Sequence, residues 1–298
     1  MSTTLTLSQE TGIGAPTTRQ GIIWLASYPK SGNTWFRFFL RALLNENETR
    51  GCEMGMASSR EVFDDYTGIC SSDLTNDEID SLRPGVYEQV VADAEKLPIF
   101  AKTHDACTNL ADGEPMLSRK ATAGAIYLIR NPLDVAVSFA YHSGHENFSQ
   151  MPQVLADGHL CDHEDRMVKQ LRQQMFGWSG HVQSWLDSDF PVHFMRYEDM
   201  KARPLETFAA AVRFAGLQCT DEEILTALEA SAFEKLQANE AEHGFSEKMP
   251  RCKSFFRKGE TGSWRESLSD SDVERIVDDH QEIMRKFDYL TDSNKIVF

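Results

Sequence analysis

The sequence has few basic residues for its length, and its six cysteines follow no metal-binding or disulfide pattern. Lysine and arginine total 30 against 46 aspartates and glutamates, which gives a formal net charge of −16. Such acidity argues against a nucleic-acid partner and against an anionic membrane surface. No apolar run approaches the roughly 18 residues that a membrane-spanning helix needs. Because no CxxC pair occurs, we expect no zinc site and no disulfide framework, and reduced thiols in a cytoplasm.

The first twenty residues also lack the basic start and the apolar stretch of a secretory signal. They are polar, and we predict a disordered tail over residues 1–20. The other residues, 21–298, have the length of one large domain or two small ones. Their mixture of 41% hydrophobic and 26% charged residues over the whole chain fits a globular protein. We predict that residues 21–298 form a single domain.

Short apolar runs that end in turn residues predict four strands, and helical periodicity predicts the segments between them. The predicted strands cover 21–28, 97–104, 125–129 and 191–197. The predicted helices cover 35–44, 132–143, 164–187, 204–215, 221–230, 232–239 and 270–287. The segments 145–163 and 241–262 are predicted loops, and 45–75 is hard to assign. Alternating strands and helices predict an α/β fold with a mainly parallel central sheet flanked by helices, which binds ligands at the carboxyl ends of its strands.

The first strand-to-helix junction, YPKSGNTW at residues 28–35, has the chemistry of an anion site. Backbone N–H groups converge at the start of a helix, where the helix dipole favours negative charge. Lys30 adds a positive charge. Three further side chains add hydrogen-bond donors: Ser31, Asn33 and Thr34. The segment is not a Walker A loop, because Lys30 precedes Gly32, and a plain capped turn is the alternative for this segment alone.

Two more strand ends carry basic residues. Lys102 and His104 share one face of the second predicted strand, since side chains alternate along a strand. A neighbouring lysine disfavours the imidazolium form, which keeps His104 available as a base. The third strand delivers Arg130 and is followed by a helix that contains Ser138. Taken alone, such residues are more often structural than functional.

A late segment, residues 255–264, reads FFRKGETGSW and concentrates positive charge in an acidic protein. Its basic residues, Arg257 and Lys258, stand beside Gly259 and between aromatic residues. This composition favours a loop that closes on an anion. The alternative is an ordinary basic loop on the solvated surface.

Together these four segments resemble the cytosolic-type sulfotransferase family, whose donor is 3′-phosphoadenosine 5′-phosphosulfate (PAPS). YPKSGNTW resembles the family's 5′-phosphosulfate loop, and KTH resembles its catalytic strand. IRNPLDVAVSFAYH resembles its 3′-phosphate segment, and RKGETGSW its C-terminal loop. The resemblance covers about residues 21–290 and implies the single-domain, P-loop-NTPase-like sulfotransferase fold. It also implies a small-molecule acceptor and no metal.

The resemblance implies roles for individual residues. The 5′-phosphosulfate would be held by Lys30, Ser31, Gly32, Asn33 and Thr34. The 3′-phosphate would be held by Arg130, Ser138, Arg257, Lys258 and Gly259. The adenine would be surrounded by Trp35, Tyr197, Ser231 and Phe233. The catalytic residues would be His104 as general base, with Lys30 and Lys102 stabilising charge on the transferred sulfuryl group.

The chain departs from the family pattern at several positions. Asn33 and Ser231 stand where relatives often have threonine, and Ser263 replaces a frequent aspartate. The family's dimer motif, KxxxTVxxxE, is only faintly echoed by Arg265, Ser269, Asp270 and Glu274. Both a monomer and a homodimer therefore remain open.

The acceptor pocket is expected from two variable loops, about 45–75 and 145–165. Asp64, Asp65 and Tyr66 lie in the first loop and Glu146 in the second. If both loops cover the pocket, their carboxylates would attract a cationic acceptor, such as an amine or a guanidinium alkaloid. The alternative is that these acids are solvated loop residues.

Two other functions are compatible with a nucleotide-binding α/β fold. A P-loop kinase or NTPase would need a Walker lysine and an acidic metal ligand. A non-catalytic nucleotide-binding protein would not need Lys30, Lys102 and His104 together. Both alternatives are tested by sulfuryl transfer from PAPS.

Overall fold

The structure, a computed structural model, describes residues 20–44, 55–144, 148–158, 169–249 and 251–298. The predicted N-terminal tail lies outside these residues except for Gln20, and so does Glu146. No helix in the described ranges is long and apolar enough to cross a membrane.

Five parallel strands form one central sheet in the order β2-β3-β1-β4-β5. They are β1 Ile22–Ser27, β2 Gly55–Met56, β3 Ile99–Thr103, β4 Thr122–Ile129 and β5 Val192–Arg196. The four predicted strands are all present, and only the two-residue edge strand β2 was not predicted. Every residue of β1 is buried, as expected for a central parallel strand with both faces covered.

Helices cover both faces of this sheet. They are α1 Asn33–Leu43, α2 Arg60–Thr67, α3 Asn76–Ala92, α4 Pro132–Ser143, α5 Met151–Asp157, α6 Trp178–Leu186, α7 Tyr197–Ala202, α8 Pro204–Phe214, α9 Asp221–Ala230, α10 Phe233–His243 and α11 Asp270–Lys286. Alternate residues of β1 point into two separate cores. Trp24 packs with residues of α4, α6 and α11, whereas Leu25 packs with α1 and α8.

Local sequence explains where several helices start. Asn131 caps α4 by accepting a hydrogen bond from Leu133 N, and Pro132 takes the first helical position, as predicted. Thr75 and Glu78 form a capping box at the start of α3. Helix α3 was nevertheless not predicted, because Pro84 and Gly85 interrupt its periodicity.

Two predictions on the helical layer are wrong. The helix expected over 164–187 begins only at Trp178 among the described residues. The chain before it is held in an irregular path by tertiary hydrogen bonds, including Leu171 N to Ser58 O at 2.8 Å and Ala106 N to Gln174 O at 2.7 Å. The loop expected over 145–163 contains α5, which packs so closely that a Cβ at Gly177 would lie 2.1 Å from Ala156 O.

Candidate active site

The junction between β1 and α1 is a tight turn that exposes the start of a helix. Lys30 and Gly32 both have positive φ angles, 70° and 98°, which are left-handed conformations. A Cβ at Gly32 would lie 2.7 Å from Cδ2 of Tyr197, so only glycine fits there. Gly32 stands at the N-cap of α1 and offers no side chain to cap it. The first N–H groups of α1 therefore remain for an anion.

Lys30 is a desolvated cation at this turn. The pKa of Lys30 is lowered to about 8, chiefly by burial; the charges of Arg130 and Lys102 act in the same direction, and Cys252 and Glu247 act against it. Its Nζ lies 3.9 Å from the centroid of the Phe255 ring. Lys30 is still protonated at neutral pH and has lost much of its hydration, so a bound anion would stabilise it.

Three buried donors at the same edge of the sheet have no hydrogen-bond partner among the described residues. They are Ser31 Oγ, Arg130 Nε and Trp35 Nε1. Buried polar groups are nearly always paired in folded proteins, so such a cluster marks a place where a ligand supplies acceptors. A ligand rich in phosphate oxygens and ring nitrogens fits this donor set.

Arg130 connects the turn to the late loop. Its Nη1 donates to Lys30 O at 3.3 Å and its Nη2 donates to Glu260 O at 2.8 Å. The guanidinium lies 4.3 Å from the centroid of the Tyr197 ring. Tyr197 in turn stands edge-on to Trp35, with 6.0 Å between ring centroids. The residues predicted for phosphate and for adenine are therefore in direct contact.

The late loop is built onto this edge of the sheet by backbone hydrogen bonds. Gly259 O accepts from Tyr197 OH at 2.9 Å, and a Cβ at Gly259 would lie 2.5 Å from Cδ2 of Phe233. The buried carboxylate of Asp134 accepts from Gly262 N at 2.7 Å and Trp264 N at 3.2 Å. The loop that carries Arg257 and Lys258 is thus held against the first turn of α4, at Asp134, on the same helix as Ser138.

The two basic side chains of the loop differ in their surroundings. The guanidinium of Arg257 is half-buried and stacks 3.8 Å from the centroid of the Tyr141 ring. Lys258 is exposed and pairs with Glu266 at 2.7 Å. Arg257 is therefore the better-positioned of the two predicted phosphate ligands.

His104 is held in one tautomer at the end of β3. Its Nδ1 lies 2.7 Å from Ser27 O. A carbonyl oxygen only accepts, so Nδ1 carries the hydrogen and Nε2 keeps its lone pair. Burial, and then the charge of Lys102, lowers the pKa of His104 well below its usual range. The result is a neutral imidazole with a basic nitrogen at the sheet edge that also carries Lys30.

Glu247 is a site residue that the sequence did not single out. Its carboxylate lies 2.6 Å from Arg37 Nη2 and 3.1 Å from Lys102 Nζ. Burial raises the pKa of Glu247, but Arg37 and Lys102 outweigh that effect and lower it to about 2. A fixed negative charge therefore stands beside the predicted catalytic lysine. Glu247 lies in the segment 241–262, which was predicted only as a loop and which also contains Glu242 and Glu260.

His142, near the end of α4, also belongs to this neighbourhood. Burial lowers the pKa of His142 to about 4, and the charges of Lys30 and Lys102 act in the same direction. Its ring stands edge-on to Phe255 with 5.6 Å between centroids. His142 is therefore a second neutral imidazole close to the two lysines.

Two predicted donor ligands use their side chains elsewhere. Asn33 Nδ2 donates to Leu25 O at 2.8 Å and to Ser27 Oγ at 3.2 Å. Ser231 Oγ donates to Ala227 O at 2.9 Å. The expected side-chain contacts of Asn33 and Ser231 with a donor are therefore not supported, because both side chains satisfy backbone carbonyls of the fold. The backbone N–H of Asn33 lies in the first turn of α1, whereas that of Ser231 donates to Ala227 O at 3.0 Å.

Three of the predicted acceptor residues lie on α2. Asp64, on α2, accepts a hydrogen bond from Ser71 N at 2.9 Å and so stabilises the turn after its own helix. Asp65 and Tyr66 are exposed on the same helix. Glu146 lies outside the described residues. A cationic acceptor therefore stays a prediction, and the contacts of Asp64 and Asp65 do not add to it.

Comparison with known proteins places this site in context. A family model described as a sulfotransferase domain matches residues 20–288. Sulfotransferase 1 family member D1 of Rattus norvegicus is 26% identical over 273 residues, which covers 89% of this chain and 83% of the relative. An amine sulfotransferase of Oryctolagus cuniculus is 27% identical over 280 residues, 90% of this chain and 82% of the relative.

A solved structure shares the fold. Retinol dehydratase, crystallised with androsterone and the inactive cofactor PAP, superposes with a TM-score of 0.60 at 19% identity. The match covers 89% of this chain and 80% of that chain. The predicted α/β architecture is thus confirmed.

Proposed function

The chain belongs to the sulfotransferase domain family, and from this premise we propose that it transfers a sulfuryl group from PAPS to a hydroxyl or amine of a small-molecule acceptor. The released nucleotide is 3′-phosphoadenosine 5′-phosphate (PAP). The proposal includes a cytoplasmic location, supported by free thiols at Cys70, Cys107, Cys219 and Cys252.

The donor is assigned to the strand ends and the late loop. The start of α1 and Lys30 bind its 5′-phosphosulfate, with Ser31 and Thr34 as hydroxyl donors. Arg130, Ser138 and the loop at Arg257 bind its 3′-phosphate. Supporting this assignment, the buried donors of Ser31, Arg130 and Trp35 have no partner among the described residues. The aromatic residues Trp35, Tyr197 and Phe233 surround the adenine.

His104 acts as the general base. Its Nε2 takes the proton of the acceptor hydroxyl or amine while the acceptor atom forms a bond to sulfur. The bond between sulfur and the phosphate oxygen breaks, and PAP leaves with the electron pair. Lys30 and Lys102 stabilise the charge that develops on the sulfuryl group and the leaving oxygen. Positioning and charge stabilisation carry most of such a reaction.

One observation carries this proposal: the hydrogen bond from His104 Nδ1 to Ser27 O, at 2.7 Å, leaves Nε2 as a base at the lysine-bearing edge of the sheet. A non-catalytic nucleotide-binding protein would have no need of this tautomer beside two lysines. A P-loop kinase is disfavoured because Lys30 precedes Gly32, and the Walker pattern requires the opposite order.

The test is transfer of ³⁵S-sulfate from PAPS to a panel of phenols, alcohols and amines, followed by mass spectrometry for an added sulfonate. The related amine sulfotransferase is a reason to include amines. We expect at least one labelled product, formed at least about 100-fold more slowly by the His104→Ala variant. Transfer of ³²P from γ-labelled ATP, or PAP binding with no transfer to any acceptor class, would contradict the proposal.

A further inference from the structure

Helix α6 holds the backbone of the segment that carries His104. Strand β3 ends at Thr103, so the next peptide groups have left the sheet and need other partners. His181 Nε2 lies 3.0 Å from His104 O, and Trp185 Nε1 donates to Asp105 O at 3.2 Å. Cys107 N donates to Ser184 Oγ at 3.0 Å. The spacing of His181, Ser184 and Trp185 puts all three side chains on one face of α6.

The hydrogen atoms on His181 can be assigned from its partners. His104 O only accepts, so His181 Nε2 carries the hydrogen. Nδ1 is then an acceptor, and it lies 2.8 Å from Tyr127 OH. Burial lowers the pKa of His181 to about 4, and burial raises the pKa of Tyr127 well above its usual range. Both groups are neutral near pH 7, so the order is Tyr127 OH to His181 to His104 O.

The same imidazole also contacts the other half of the site. Its ring stands edge-on to Tyr28, with 5.6 Å between centroids and an interplanar angle of 89°. Tyr28 is the first residue of the turn that carries Lys30. His181 therefore lies beneath both the proposed base and the proposed donor turn, and it is completely buried.

We propose that His181 is a positioning residue for sulfuryl transfer, which fixes the backbone at His104 through its Nε2–H and so holds His104 Nε2 at the sheet edge. The proposal rests on the proposed function, since it assigns His181 a role through His104. Tyr127 orients the His181 ring through its hydrogen bond to Nδ1 and so acts on His104 only through His181. His181 itself takes no proton from the acceptor.

The enzymatic test compares His181→Ala with His181→Gln and with His280→Ala. His280 is a matched control: it is buried on α11, its pKa is also lowered to about 4 by burial, and Ser179 Oγ lies 2.9 Å from its Nδ1. We expect His181→Ala to lower kcat about 10- to 100-fold, since small displacements of a catalytic group cost up to about 100-fold. KM for PAPS should change less than about twofold.

The conservative variant separates positioning from packing. Glutamine keeps an N–H that can reach His104 O, so His181→Gln should recover most of kcat. His280→Ala should lose comparable stability and keep its kcat. Tyr127→Phe, which removes only a hydroxyl, gives a second measurement if His181→Ala does not fold, and it should lower kcat less than His181→Ala.

An NMR readout does not depend on the reaction. Spectra of ¹⁵N-labelled imidazoles, assigned with His104→Ala, should show His104 as the single Nδ1–H tautomer. In His181→Ala this signal should become a mixture of tautomers, and in His280→Ala it should not change. An unchanged tautomer or an unchanged kcat in His181→Ala overturns the proposal. If the wild type transfers no sulfuryl group and the tautomer still responds, the proposed function fails and the coupling of His181 to His104 stands.

Discussion

The proposed donor side and the proposed acceptor side of this site are built by different means. On the donor side, Lys30, Arg130 and Tyr197 stand at the ends of three neighbouring parallel strands, where the sheet register fixes their spacing. On the proposed acceptor side, Glu247 comes from a segment between α10 and the late loop, and on α2 Asp65 lies exposed while Asp64 is half-buried. The strand ends therefore form a rigid frame for the proposed donor. The described residues of the proposed acceptor side form no such frame.

The contrast shows which chemistry a short sequence pattern can encode. A turn with left-handed residues at Lys30 and Gly32 places its own N–H groups, so five or six neighbouring residues specify an anion site. A pocket for an acceptor depends on side chains far apart in the chain. Arg37 and Glu247 are 210 residues apart, and their contact follows only from the fold.

The largest expected effect is that of His104→Ala. Loss of a general base lowers kcat by about 10²- to 10⁴-fold, whereas PAP affinity should stay within about twofold because the base faces the acceptor. Lys30→Ala should reduce both kcat and PAP affinity, since Lys30 lies at the start of α1. Steady-state kinetics and calorimetric titration with PAP measure the two effects separately.

A near-wild-type kcat for His104→Ala would remove the general-base role. A loss of PAP affinity in the same variant would show that the division between the two sides is wrong.

The second effect concerns the 3′-phosphate. PAP should raise the melting temperature strongly and ATP much less, because ATP has no 3′-phosphate. Arg257→Ala should weaken PAP binding by about 1.5–3 kcal/mol, the usual contribution of a hydrogen bond to a charged group. Lys258→Ala should cost less, since Lys258 is exposed and paired with Glu266.

The control for this effect is Lys253→Ala, which removes an exposed lysine from the same segment. Equal stabilisation by PAP and ATP would show that the 3′-phosphate is not recognised. If Arg257→Ala and Lys253→Ala lose equal amounts of PAP affinity, Arg257 acts only through its overall positive charge and does not contact the 3′-phosphate.

A third prediction concerns pH. The pKa of Lys30 is lowered to about 8, chiefly by burial, with Arg130, Lys102, Cys252 and Glu247 also acting on it. Below pH 8 Lys30 carries its proton both with and without bound PAP, so its contribution to PAP affinity does not change with pH. Above pH 8 Lys30 loses its proton in the free protein, and PAP binding must be accompanied by uptake of that proton. The affinity for PAP should therefore fall by up to about tenfold between pH 8 and pH 9.

The matched variant for the pH series is Lys30→Arg, because arginine stays charged throughout this range. Titration calorimetry from pH 7 to 9.5 should show a flat profile for the arginine variant. A flat profile for the wild type would mean that Lys30 does not titrate there.

The sequence predicted those parts of the structure whose cause is local. Four strands follow from apolar runs, and the start of α4 follows from Asn131 and Pro132. It did not predict the irregular path before Trp178, which depends on the hydrogen bonds of Leu171 N with Ser58 O and of Gln174 O with Ala106 N. Helix α3 was missed because Pro84 and Gly85 break its periodicity, although Thr75 and Glu78 mark its start.

The candidate site divides in the same way. Lys30, Arg130, Tyr197 and the glycine of the late loop lie together as the motifs indicate. The side chains of Asn33 and Ser231, predicted to contact the donor, also donate hydrogen bonds to backbone carbonyls of the fold, which no local pattern indicated. Glu247 could not be found from a pattern, because its two partners lie on α1 and β3.

The smallest expected effect tests whether the acceptor side carries a usable charge. Exposed carboxylates interact weakly with a ligand, by about 0.2–1 kcal/mol, so a single neutralisation should raise KM for a cationic acceptor at most about fivefold. The variants are Asp64→Asn, Asp65→Asn and Glu146→Gln, each tested with a cationic and a neutral acceptor of similar size. Asp64→Asn also weakens the turn at Ser71, so its thermal stability is measured alongside.

Glu247→Gln adds the comparison that decides which part of the proposed acceptor side recognises charge. Glu247 already pairs with Arg37 and Lys102, so its negative charge is largely compensated and should discriminate little between acceptors. A selective rise in KM for the cationic acceptor in the Asp65 or Glu146 variant, with none in Glu247→Gln, would support recognition by the variable loops. A selective rise only in Glu247→Gln would move acceptor recognition to the segment before the late loop. If no variant discriminates, the acidity is a property of the solvated surface, and the acceptor is bound without charge selection.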